Sequence, residues 1–285
     1  MRMACTCYSC ILDRANFECD LVFKTEGEKT KAVEELLDFM ACHKGGVPAL
    51  VGTEREVIIK RLSGNPDPYF YLKSEENRLA RSLMPVARQF YKDSENKLEA
   101  LVRIAAAANS MEFGVKGHDF DNSTFGQVFG DTLAENLHGD LGEVKRRLSS
   151  FDNVLYLTDN AGEVVFDLLL IEKLKDMGKR VVMASKSEPI LNDVTAEELC
   201  SMTDNEVIAT GPVVGTTLEN LSQEALSLLS NDDWLVISKE MGNFETLSEF
   251  EAQLSGRLVY IMRAKCEPVA RALGVPKGTL VVKTV

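Results

Sequence analysis

Residues 153–193 read NVLYLTDNAGEVVFDLLLIEKLKDMGKRVVMASKSEPILND, and this stretch decides the fold. Val154–Leu157 is a short apolar, β-prone run of the kind buried on both faces of a sheet. Thr158-Asp159-Asn160-Ala161-Gly162-Glu163 interrupts it with turn formers. From Val164 to Met177 the apolar residues Val165, Leu168, Leu169, Ile171 and Leu174 recur at helical spacing, and Gly178 stops the helix. Val181–Ala184 is a second strand. A β-loop-α-β unit has parallel strands and a right-handed crossover, and ligands of such sheets sit at the carboxyl ends of the strands. Polar clusters stand at both ends: Asp159, Asn160, Gly162 and Glu163 after the first strand, and Lys186, Asn192 and Asp193 after the second.

Outward from this unit the pattern differs on the two sides. Further β-rich runs follow at Val207–Thr210, Trp234–Ser238, Leu258–Met262 and Leu280–Val285. Helices are expected between them at Ala196–Met202, Thr217–Leu229, Phe244–Gln253 and Val269–Leu273. That alternation predicts an α/β fold with a mostly parallel sheet flanked by helices. The N-terminal side reads mostly helical, with apolar spacing over 32–40, 49–62, 69–91 and 98–111 and a long helical stretch over 125–148. The expected division is a helical region over 1–150 and a Rossmann-like α/β region over 151–285.

Composition narrows the function. The chain has 285 residues, 45% hydrophobic and 27% charged, enough for a substantial core, and a formal net charge of −12. Phosphate backbones and anionic lipid surfaces both call for clustered Lys and Arg, so neither nucleic acid nor a membrane is an expected partner. No apolar run approaches a membrane span and no signal peptide opens the chain, which predicts a cytoplasmic protein. Four of the seven cysteines, Cys5, Cys7, Cys10 and Cys19, lie near the N-terminus. Cys5, Cys7 and Cys10 have spacing suited to a soft metal, with Cys19 and His43 as further ligands. The alternative is reduced thiols packed on a helix.

Asp159, Asn160 and Asp193 form a hard-oxygen donor set with open positions, suited to Mg²⁺ or Mn²⁺ with substrate phosphate. The competing reading makes Asp159 a helix cap. Lys186 would offset phosphate charge. Asn243 and Glu245, after the Trp234–Ser238 run, either orient substrate or cap the next helix, and Lys265 either grips phosphate or is solvated. No P-loop, dinucleotide fingerprint or nucleophile elbow is present, and His43, His118 and His138 are scattered.

These motifs resemble the metal-dependent damage-control phosphatases, formerly domain-of-unknown-function family eighty-nine and also called ARMT-like proteins. The resemblance covers most of the chain. It rests on Cys7-x-x-Cys10, on Asn109-Ser-Met-Glu112 and on Asp159-Asn160-Ala-Gly162-Glu163. It continues in Lys186-x-x-Pro189-x-x-Asn192-Asp193, in Ser238-Lys239-x-x-Gly242-Asn243-Phe-Glu245 and in Lys265-Cys266. The Cys-x-x-Cys matches the mainly prokaryotic branch. The resemblance implies a three-layer α/β/α Rossmann-like sheet carrying an N-terminal multi-helical region. It also implies hydrolysis of phosphate esters of small metabolites with Mn²⁺, Co²⁺, Ni²⁺ or Mg²⁺. Asp159, Asn160 and Asp193 would hold that metal, and Asn109, Glu163, Lys186, Asn243 and Lys265 would line the substrate pocket. Glu112 and Met262-Arg263-Ala264 depart from the family pattern and bear on substrate identity. A non-enzymatic metal or iron–sulfur protein built on the N-terminal cysteines is the alternative. The oligomeric state is left open.

Overall fold

The structure, a computed structural model, describes residues 1–108 and 122–285. Asn109, Glu112 and His118 lie outside the described residues. Five helices open the chain: α1 (Cys5–Val22), α2 (Glu26–Cys42), α3 (Pro48–Ser63), α4 (Phe70–Asp93) and α5 (Lys97–Ala107). Then come α6 (Asn122–Ala134), β1 (Leu137–His138), α7 (Leu141–Ser150), β2 (Asn153–Leu157), α8 (Glu163–Asp176), β3 (Arg180–Ser185), α9 (Ala196–Cys200) and β4 (Glu206–Ala209). The rest is α10 (Gln223–Leu229), β5 (Trp234–Lys239), α11 (Glu240–Leu247), β6 (Leu258–Arg263), α12 (Glu267–Leu273) and β7 (Leu280–Thr284).

The seven strands form one sheet in the order β1-β7-β6-β5-β2-β3-β4. Every pairing is parallel except β6 with β7. The fold is therefore α/β, as the run of short apolar segments predicts. Because side chains alternate along a strand, β2 divides its residues between two cores. Val154 and Tyr156 face α4, α5 and α8, whereas Leu155 and Leu157 face α10 and α11. Helices on both faces bury both sides of the sheet, and so Val154–Leu157 of β2 and Trp234–Ile237 of β5 are apolar at every position rather than alternating.

Three expectations are corrected. The helical stretch over 125–148 is broken by β1, which pairs with β7. Gly139 follows it with φ +138°, and a Cβ there would lie 1.8 Å from the Val282 carbonyl oxygen, so the chain crosses β7 too closely for any side chain. The helix expected over 217–229 begins only at Gln223, where the Ser222 hydroxyl accepts the Ala225 N–H at 3.1 Å and caps it. The helix expected from Phe244 begins at Glu240, whose φ of +60° turns β5 directly into α11. Among the described residues no helix is long and apolar enough to cross a membrane.

α1, α2 and α3 pack on one another through Ile11, Ala15, Leu36, Met40, Val51 and Ile58. α3 also meets the loops at the sheet's carboxyl edge, where Val47 and Ala49 join Ile190 and Val214.

Candidate active site

The loops leaving β2 and β3 are stitched together. The Val194 N–H donates to the Asp159 carbonyl at 2.9 Å, and the Ala161 N–H donates to the Asn192 carbonyl at 2.8 Å. Asn160 and Asp193 form an antiparallel bridge, and Lys186 bridges to Thr195. Residues 33 positions apart in the chain are thereby placed side by side at the edge where a parallel sheet presents its loops. Asp159, Lys186 and Asp193 are all buried. Lys186 Nζ lies 3.5 Å from Asp193 Oδ2 and donates to the Gly215 carbonyl at 2.6 Å. Burial pushes the Asp159 carboxyl well above the usual carboxylate range, and the negative charges of Asp193 and Glu240 push it further, against Lys186 and Lys239. Gly242, in the first turn of α11, leaves room beside this carboxylate: a Cβ there would stand 3.6 Å from Asp159 Oδ1.

These residues fit a divalent cation. Two buried carboxylates side by side, with an amide residue bridged to one of them, make a hard-oxygen donor set whose charge calls for a positive guest. Asp159, Asn160 and Asp193 are the side chains that would hold it. Among the described residues no group of three or more His, Cys, Asp or Glu is gathered for a metal, and the third donor here is an amide. The same holds for the N-terminal thiols. Cys5 and Cys10 are exposed on α1 while Cys7 is buried and accepts the Ala4 N–H at 3.4 Å, so the three do not converge.

Behind the carboxylates lies a second charged cluster. Lys239 is fully buried, with Nζ 2.8 Å from Asp167 and 3.4 Å from Glu163. Burial would lower the Lys239 pKa, but Asp167, Glu163 and Glu240 outweigh it and raise the value, so the ammonium is kept. Glu163, also buried, has its carboxyl pushed up by desolvation, relieved by Lys239. Glu163 is thus anchored to Lys239. Asn243, fully buried, donates to the Thr158 carbonyl at 3.0 Å and the Lys239 carbonyl at 2.9 Å, and accepts from the Thr216 hydroxyl at 2.8 Å. Its amide ties three strand-end segments together.

Lys265 lies in the segment after β6. It lines a cleft of about 830 Å³ between α1, α11 and the segment after β6, together with Arg14, Phe17, Met241, Glu245 and Cys266. The first turn of α11 borders both regions, with Gly242 beside Asp159 and Met241 in the cleft wall. Burial pushes the Glu245 carboxyl up to about 7, opposed by the N-terminal ammonium and the Ala49 N–H.

Residues 3–281 match the model of the damage-control phosphatase ARMT1-like domain. The chain belongs to this family. Among its ARMT1-like relatives, a damage-control phosphatase of Archaeoglobus fulgidus is 30% identical over 292 aligned positions that cover 100% of both chains. A second, the damage-control phosphatase PH1575 of Pyrococcus horikoshii, is 33% identical over 84% of this chain and 82% of its own length. The crystal structure of a DUF89 family protein from Pyrococcus horikoshii superposes with a TM-score of 0.88 at 29% identity, covering 100% of this chain and 99% of that one. The α/β architecture is thus that of a solved ARMT1-like protein.

Several residues of this site carry no local sequence signal. Lys239, Glu240 and Asp167 fall inside strand and helix patterns, and their role depends on what packs against them. Glu163 and Asp167 do sit one helical turn apart on a face that is otherwise apolar, which is the available clue.

Proposed function

We propose that this chain is a divalent-metal-dependent phosphoric monoester hydrolase acting on small phosphorylated metabolites, sugar phosphates or damaged phosphometabolites. The observation that carries the reading is the pair of buried carboxylates, Asp159 and Asp193, brought together beside Lys186 at the sheet's carboxyl edge. Membership in a damage-control phosphatase family supports the phosphatase role. When bound, Mn²⁺, Co²⁺, Ni²⁺ or Mg²⁺ would supply Lewis-acid stabilisation of phosphate charge.

The chain's own groups divide the remaining work. Asp159, Asn160 and Asp193 supply oxygen donors. Lys186, fixed by the Gly215 carbonyl, adds positive charge where phosphate charge develops. Asp159 or Asp193 orients the attacking water or accepts its proton at a carboxylate oxygen. Asn243 and Glu163 keep the strand-end loops in register, and Lys265 in the adjoining cleft meets the substrate. Asn109 belongs to this proposal on resemblance alone. The net charge of −12 favours a small metabolite over nucleic acid, and a cytoplasmic location accords with it.

The test is hydrolysis of p-nitrophenyl phosphate by chelated and then metal-restored protein, beside Asp159→Ala. The expected result is turnover that needs a divalent ion and falls by roughly 100-fold or more in the variant. Equal turnover in the variant, or turnover indifferent to chelation, overturns the reading.

A further inference from the structure

One face of α3 touches the strand-end loops through three polar side chains spaced as on a single helix face. Thr53 accepts the Val214 N–H at 2.9 Å, Glu56 accepts the Leu191 N–H through Oε2, and Lys60 donates to the Pro189 carbonyl at 2.6 Å. All three partners are backbone groups of the loops that carry Asp193 and the Gly215 carbonyl. Leu191 is one of two described non-glycine residues with positive φ, at +49°, a conformation a leucine avoids unless its surroundings impose it. The Asp193 N–H donates to the Ile190 carbonyl at 3.1 Å, so the turn around Leu191 directly sets where Asp193 begins.

Glu56 is itself an unusual residue for this task. It is fully buried, near a second buried carboxylate, Glu18, with Arg55 Nε bonded to Glu18 at 2.7 Å. A buried carboxylate beside a like charge is unfavourable for stability alone. Lys60 Nζ stands 3.8 Å from its Oε1. An apolar side chain would pack there with less electrostatic strain, which directs attention to what the acceptor oxygen does for the loop.

We propose that Glu56 is a positioning residue: its carboxylate holds Leu191 in the left-handed conformation and so fixes Asp193 opposite Asp159. Its consequence for cation binding rests on the function proposed above, whereas the loop geometry does not. The helical region is then a clamp on the carboxylate loops. α4 contributes to the same end, since Asn77 Oδ1 accepts the Gly162 N–H at 2.8 Å and Glu76 accepts from Asn192 Nδ2 at 3.2 Å.

Hydrogen exchange of residues 187–194 in the metal-free protein, together with Mn²⁺ binding by calorimetry, tests this. Glu56→Met keeps side-chain length without the acceptor, and Glu56→Gln keeps an acceptor without the charge. The Met variant is expected to melt within a few degrees of wild type, to exchange residues 187–194 about fivefold faster or more, and to bind Mn²⁺ about tenfold or more weakly. The Gln variant is expected to retain loop protection and to bind within about threefold of wild type. Ile59→Ala, buried on the side of α3 that faces Cys19, Phe23 and Ala32, is expected to lower Tm while leaving loop exchange unchanged. Lys60→Met, at a half-buried position, reports the same clamp should Glu56→Met fail to fold. Native loop protection in folded Glu56→Met, or in Lys60→Met should Glu56→Met fail to fold, or equal loosening by Ile59→Ala, overturns the proposal. A wild type that binds no Mn²⁺ overturns the cation reading, while the exchange data still decide the clamp.

Discussion

Two clusters in this molecule share a composition and differ in use. Asp159, Asp193 and Lys186 at the strand ends are two buried acids and one buried base, and so are Glu18, Glu56 and Arg55 between α1 and α3. At the strand ends the lysine is 3.5 Å from one acid and donates to a backbone carbonyl. In the helical cluster the arginine is bonded to Glu18 at 2.7 Å, and Glu56 finds its partner in a backbone N–H of the other region. On the function and the clamp proposed above, the same composition would serve as a receptor in one place and as a fastening in the other. What decides between them is where the acceptor oxygens point, a property of the backbone that carries them.

The largest effect expected from breaking this contrast is at Asp159. In metal-free protein Asp159→Ala should raise Tm, because it removes one of two repelling buried carboxylates, even as it abolishes metal-dependent turnover. A lower Tm measured by calorimetry would mean that the carboxylates are mutually satisfied without a cation. Next is Gly162→Ala. Gly162 has φ +65°, and a Cβ would lie 3.0 to 3.1 Å from Glu76 atoms of α4. A loss of about 1–3 kcal/mol in denaturant unfolding is expected, together with looser strand-end loops.

The pH dependence sharpens the comparison further. Burial and the Glu18 charge push the Glu56 carboxyl from 4.5 up to about 8, with Leu191, Lys60 and Arg55 opposing. A raised carboxyl pKa means that the folded state binds the proton more tightly than the unfolded one. Its contribution is fully present below 4.5 and is lost as pH rises through about 8. Tm of metal-free wild type should therefore decline more steeply across this window than that of Glu56→Gln, and parallel curves would contradict the assignment. The smallest effect is expected at Arg88, whose exposed pair with Glu172 joins α4 to α8 at 3.5 Å. Arg88→Ala should change stability by less than about 0.5 kcal/mol, although the same two elements meet at the sensitive Gly162.

Much of this was legible in the chain itself. The runs at 154–157, 181–184, 234–237 and 258–262 are apolar at every position because the strands are covered on both faces, and that made the sheet readable. The polar groups at their carboxyl ends, Asp159, Asn160, Lys186 and Asp193, were readable because a parallel sheet gathers loops along one edge. Glu56 was not, since a glutamate in an amphipathic helix looks like a solvated residue until its partner, Leu191, is known to lie 135 positions away. Asn243 was placed at the right edge, but the identity of its three partners is tertiary information. β1 was hidden because two residues carry no period.

The antiparallel β7 has a bearing on the order of assembly. Among the described residues β1, at 137–138, pairs with one strand, made of residues 280–284. Arg147 likewise waits for the carbonyls of Leu258 and Val285, which it meets at 3.1 and 2.7 Å. β2, β3 and β5 can pair as soon as residue 239 has been synthesised, but the β6 side of the sheet stays open until residues 280–284 arrive. A ribosome that stalls before residue 280 would release a molecule with β6 as a bare edge and β1 without a neighbour, two sticky margins on an otherwise assembled sheet.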